Sequence, residues 1–66
     1  MVTPEALEIL AIYYNHKIPE INHFKILWQD EAILSCEWRE TGSLDMHRVK
    51  ALKPTNTTPA WRISHQ

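Results

Sequence analysis

A chain with one glycine cannot build a glycine-rich phosphate loop, and a chain with one cysteine cannot close a disulfide within itself. Cys36 has no second cysteine beside it, and the spacing of His16, His23, His47 and His65 matches no standard zinc pattern, so neither a metal nor another cofactor is expected. Ser35, Ser43 and Ser64 stand in no nucleophile motif. The adjacent carboxylates Asp30 and Glu31 fall in a turn, where water keeps both ordinary. No catalytic residue is assigned, and a chain this short has little interior in which to build a pocket. The basic region and apolar run of a secretory signal are missing from the N-terminus, and no segment approaches the ~18 apolar residues of a membrane span. A cytoplasmic protein without membrane contact is expected. Without an export signal, the glycosylation acceptor pattern at Asn56, Thr57 and Thr58 is read as coincidence.

What remains is a single small domain. Sixty-six residues bury only about 60% of the surface of the unfolded chain, so the core is thin and gains from a partner or from self-association. The formal charge of −1 is unevenly placed. Residues 36 to 66 hold Arg39, Arg48, Lys50, Lys53 and Arg62 against Glu37, Glu40 and Asp45, a mildly basic half that follows a more acidic one.

The stretch from Phe24 to Lys53 organises the fold. Ala32, Leu34, Cys36 and Trp38 alternate with polar neighbours at period two, the mark of a half-buried strand. Phe24, Ile26 and Trp28 alternate likewise, and Gln29, Asp30 and Glu31 provide a turn between the two runs. Keeping both apolar sets on one face requires an odd loop that pairs Trp28 with Ala32, Ile26 with Leu34 and Phe24 with Cys36; an even loop turns Trp28 to the other side. A second turn is centred on Thr41 and Gly42, where only glycine takes a positive φ freely. Beyond it the apolar phase changes from Leu44 and Met46 to Val49 and Ala51. A β-bulge at His47 and Arg48 absorbs the extra residue, placing Met46 by Trp38, Val49 by Cys36 and Ala51 by Leu34. A short helix over residues 44–53, capped by Ser43 and stopped by Pro54, is the competing reading.

Thr3, Pro4 and Glu5 open an N-terminal helix over about residues 4–15. Leu7, Leu10, Ala11 and Tyr14 recur at helical spacing and are assigned to the sheet, while Ala6, Ile9, Ile12 and Tyr13 make a second apolar side. Either the C-terminal tail or another subunit covers that side; Ala6, Ile9 and Tyr13 are the candidate homodimer interface. Ile18-Pro19 makes residues 18–23 an extended connector. The tail, 54–66, carries Trp61 and Ile63 as a candidate fourth, edge strand.

These readings combine into an α+β fold: the N-terminal helix (1–17 with its cap) on a three-stranded antiparallel β-meander (24–53, strands near 24–29, 32–40 and 44–52), with a fourth strand as an option. Trp38 is expected between helix and sheet. In this register Leu27, Ile33 and Leu52 gather on the outer face, where a one-layer sheet should be polar. With Trp61 and Arg62 they are the candidate protein-binding residues of a small non-catalytic regulator, inhibitor or adaptor acting on another protein. The alternative is a nucleic-acid binder that uses Arg39, Arg48, Lys50, Lys53 and Arg62.

Overall fold

The computed structural model describes residues 2–64; His65, one of the four histidines weighed above, lies outside the described residues. One helix, α1 (Pro4–Tyr13), precedes four strands, β1 (Ile21–Gln29), β2 (Ile33–Glu40), β3 (His47–Leu52) and β4 (Arg62–Ser64). The strands form one antiparallel sheet in the order β1-β2-β3-β4, and α1 packs on one of its faces. The α+β architecture expected from the sequence is therefore the architecture present, with the fourth strand in place.

Local chemistry sets the bounds of α1. The Thr3 hydroxyl accepts from Ala6 N–H at 3.2 Å, and Pro4 follows in the first helical position. The helix stops at Tyr13, two residues short of expectation, because Asn15 and His16 both take left-handed backbone, with φ of 54° and 70°. His16 N–H donates to the Ala11 carbonyl and Asn15 N–H to the Ile12 carbonyl, the paired bonds of a Schellman cap with asparagine in the usual glycine place.

The roll of α1 differs from the one assigned from periodicity. Ala6, Ile9 and Leu10 are fully enclosed against the sheet, whereas Leu7 is 47% exposed. Two hydrogen bonds hold this roll. Trp38 Nε1 donates to Tyr14 Oη at 2.7 Å and Trp61 Nε1 to Glu8 Oε2 at 2.8 Å, so the helix turns the side that satisfies both indoles toward the sheet. Ala6 and Ile9 are thus core residues of this chain and not a surface for a second copy; Tyr13 alone of that set reaches solvent.

The β1–β2 register also departs from expectation. The loop is even, Glu31 and Ala32, closed by Asp30 N–H to the Ile33 carbonyl at 2.9 Å and tightened by Asp30 Oδ1, which accepts from Ala32 and Ile33 N–H at 2.7 Å each. Gln29 then faces Leu34, Trp28 faces Ser35 and Ile26 faces Cys36. The step from Trp28 to Ile26 skips Leu27, an extra residue in β1, and a second irregularity lies between Asn22 and Lys25, where His23 takes φ 51°. Both bulges are in β1; β3 has none. Its phase change disappears because residues 44–46 stay outside the strand, leaving Leu44 93% exposed. His47, not Met46, faces Trp38, while Val49 faces Cys36 and Ala51 faces Leu34 as the pattern of β2 required. Residues 44–53 contain no helix. Gly42 supplies the positive φ, 88°, of the β2–β3 turn, which Ser43 N–H closes onto the Glu40 carbonyl at 3.0 Å.

The core lies between α1 and the inner sheet face, where Ile9, Leu10, Leu34, Cys36, Trp38, Val49, Ala51 and Trp61 are buried together. Burial pushes the Cys36 thiol up to about 11, so it stays protonated at neutral pH. Beneath α1, His47 stacks on Trp38 with ring centroids 5.6 Å apart, and its Nδ1 lies 3.1 Å from Tyr13 Oη.

Candidate functional site: the outer sheet face

α1 covers one face of the sheet, and among the described residues no element covers the other. Strand pairing arranges that open face in rows. Ile33, Leu52 and Arg62 form one; Trp28, Ser35, Lys50 and Ser64 the next; Lys25, Glu37 and Arg48 the third; Asn22 and Arg39 the fourth. Side chains two residues apart on a strand share a face, so all four rows point away from the helix.

Of the five residues assigned to partner binding, the sheet brings four together. Ile33, Leu52 and Arg62 are neighbours in one row, and Leu27, displaced by its bulge and 43% exposed, lines a hollow of about 260 Å³ on the same face. Trp61 is the exception. It lies in the inner phase beside Ile63, buried in the core, with its indole N–H engaged by Glu8. The aromatic residue that does stand on the outer face is Trp28, 51% exposed, which alternation had turned inward. The signal that could have found it was the even loop that Asp30 favours, with its side chain bonded to its own turn.

Four of the five basic residues named for the alternative also meet here. Arg39, Arg48, Lys50 and Arg62 lie on the outer face, joined by Lys25, whereas Lys53 follows the end of β3 and gives its N–H to the Ala32 carbonyl. Five of the chain's seven Lys and Arg residues thus share a face with one of its eight carboxylates, Glu37. The other seven carboxylates and two lysines lie on α1, in the loops and in the inner phase of β2. The face carries +4 and the rest of the chain −5, summing to the formal −1.

Glu37 is paired where it stands. His23 Nε2 donates to Oε2 at 3.1 Å and Arg48 Nε to Oε1 at 3.0 Å, and these bonds, that from His23 first, hold the carboxyl below the usual carboxylate range. The Glu37 side chain is nearly covered, while that of Arg48 remains 71% exposed, with only Nε committed. Arg39 Nε is buried without an acceptor among the described residues. The hollow lies over Ser35, between Leu27 on one side and Arg48 and Lys50 on the other. A second hollow, about 340 Å³, opens between α1 and the 54–61 turn around Trp61, and the carboxylate on its wall, Glu8, is already bonded to that indole.

No cluster of three or more His, Cys, Asp or Glu side chains suited to a metal ion occurs among the described residues, and no helix among them is long and apolar enough to cross a membrane. No protein-family model, curated protein or solved structure matches the chain.

Proposed function

We propose that the protein is a small non-catalytic binding module, of the regulator or adaptor kind, whose working surface is the outer face of its sheet. One observation carries this reading: the sheet face opposite α1 presents Leu27 and Trp28 to solvent beside Arg39, Arg48, Lys50 and Arg62. Apolar side chains exposed in a group, rather than singly, mark surfaces that a partner covers, and a rim of one charge selects a partner of the other. A partner protein suits Leu27, Ile33 and Leu52, the apolar part of the face. The segregation of charge favours an anionic ligand and supports the second reading, a nucleic acid. Self-association through Ala6 and Ile9 has no place in the proposal, since the chain's own sheet encloses both side chains.

Site-specific photo-crosslinking in cells that make the protein tests the assignment of the face. A crosslinker in place of Trp28 is expected to capture a partner, and Lys50→Glu in the same chain to abolish the capture. A crosslinker in place of Leu7, on the exposed side of α1, is expected to capture nothing specific. Capture from position 7 with none from position 28 would overturn the proposal.

A further inference from the structure

We infer that the ligand of this face is a single strand of nucleic acid, its phosphates following Arg39, Arg48, Lys50 and Arg62 and a base stacking on Trp28. The inference rests on the reading above and names the partner class. Its basis is the order of the cations. Arg39 is on β2; Arg48, one row on, is on β3; Lys50 follows on β3; and Arg62, one row further, is on β4. The four form a diagonal track across the sheet in steps of about 7–8 Å, given about 3.4 Å per residue along a strand and about 4.8 Å between strands. An evenly spaced line of cations fits a ligand whose negative charges are evenly spaced. Three of the four are arginines, whose planar fork matches phosphate oxygens.

Trp28 stands beside this track, in the same row as Lys50, with only Ser35 between them. Two strand spacings, roughly 10 Å, separate the indole from the ammonium at the level of the backbone. Over the small Ser35 side chain lies the 260 Å³ hollow, which the indole itself does not line, apolar at Leu27 and cationic at Arg48 and Lys50. A nucleotide has the same polarity, a flat apolar base at one end and a phosphate at the other. In a duplex the bases are paired and stacked within the helix, so an indole on a sheet meets a free base only in a single strand. Both oxygens of the one carboxylate within the face are engaged by His23 and Arg48, which offsets its repulsion of phosphate, and the Arg48 side chain beyond Nε remains exposed.

Full-length protein titrated with labelled oligothymidylate and oligouridylate, each about ten nucleotides long, tests the inference; an equally long duplex and polyglutamate are the controls. Anisotropy and tryptophan emission are read together. Single strands are expected to bind and quench the emission, and Trp28→Ala to weaken binding roughly tenfold or more and remove most of the quench, the other two tryptophans being buried. Four phosphate contacts predict a slope of log K on log salt of about −2.8, or roughly a 50-fold loss of affinity from about 50 to about 200 mM salt. Lys50→Glu and Arg62→Glu, verified as folded by thermal melting, are expected to weaken binding and flatten that slope. Absence of single-strand binding at low salt overturns the inference, as does equal binding of polyglutamate without quenching. If the position-28 crosslinker still captures an acidic protein, the binding face stands and only the nucleic acid is rejected; if both measurements are empty, the face itself is wrong.

Discussion

The three tryptophans show how one residue type acquires three roles from its surroundings. Trp38 is fully enclosed, edge-on to Tyr13 at 5.1 Å, stacked by His47 and bonded to Tyr14 through its N–H. Trp38→Ala should cost about 3–5 kcal/mol, enough to abolish a cooperative thermal transition in a domain of this size. Trp28→Ala, which removes a half-exposed ring from the outer face, should shift the urea midpoint by no more than about 0.5 kcal/mol in stability. Glu37 allows a prediction in pH. Its folded pKa lies below the unfolded value, so its contribution to stability is complete above the ordinary carboxylate pKa of about 4.3 and is lost as pH falls from there through the depressed folded value. Glu37→Gln should therefore flatten the acid limb of stability against pH, measured by urea unfolding from pH 6 downward, and leave the neutral region with a lower plateau. The burial of Trp38 was legible because β2 alternates without interruption. The exposure of Trp28 was not, because the even loop puts it opposite Ser35 in the outer phase, while the extra residue at Leu27, which returns Ile26 to the inner face, has no mark in the apolar pattern.

Among the elements, β2 joins the first hairpin to the second, and its expected alternation holds for Leu34, Cys36 and Trp38, whereas Ala32 lies in the loop before it. Two of the three pairs expected across β2 and β3 exist as expected, Cys36 with Val49 and Leu34 with Ala51. The bulge assigned to β3 came from treating Leu44 and Met46 as strand residues. The six-residue connection from Thr41 to Met46 removes the need for it. The extent of α1 was legible from Thr3 and Pro4 at one end, but its roll was not. Both sides of the helix are apolar, and the docked face takes Leu10 and Tyr14 from one and Ala6 and Ile9 from the other, a roll compatible with the bonds from the Trp38 and Trp61 indoles to Tyr14 and Glu8. The roll predicts a contrast. Ile9→Glu places a carboxylate in the core and should abolish the folded circular-dichroism signal at every protein concentration, whereas Leu7→Glu should melt within a few degrees of the wild type. Tolerance of Ile9→Glu together with unfolding by Leu7→Glu would mean that α1 docks by its other side.

At the scale of the whole molecule, the described residues make one layer of sheet with one helix, which packs on one sheet face alone. The outer face was partly legible as a site. The alternation of the first three strands puts Leu27, Ile33 and Leu52 on that face, and Arg62 joins them only through its neighbour Trp61, which turns inward; three residues of β4 are too few for a pattern to show which way they face. The diagonal of Arg39, Arg48, Lys50 and Arg62 was out of reach, since the connection from Pro54 to Ala60 sets the register of β4. The separation of charge between the two sides has a consequence for handling the protein. A sequence pI of about 6.4 promises weak retention on any ion exchanger near neutral pH, yet a resin meets part of a molecule at a time, and here the outer sheet face carries +4 while the remainder of the chain carries −5. At low salt near pH 6.5 the protein should be held by cation and anion exchangers alike, and Lys50→Glu should shorten its retention on the cation exchanger while leaving the anion exchanger little changed. Because charges farther apart than about 10 Å are screened at 0.1 M salt, both kinds of retention should fade together as the eluting salt approaches that concentration.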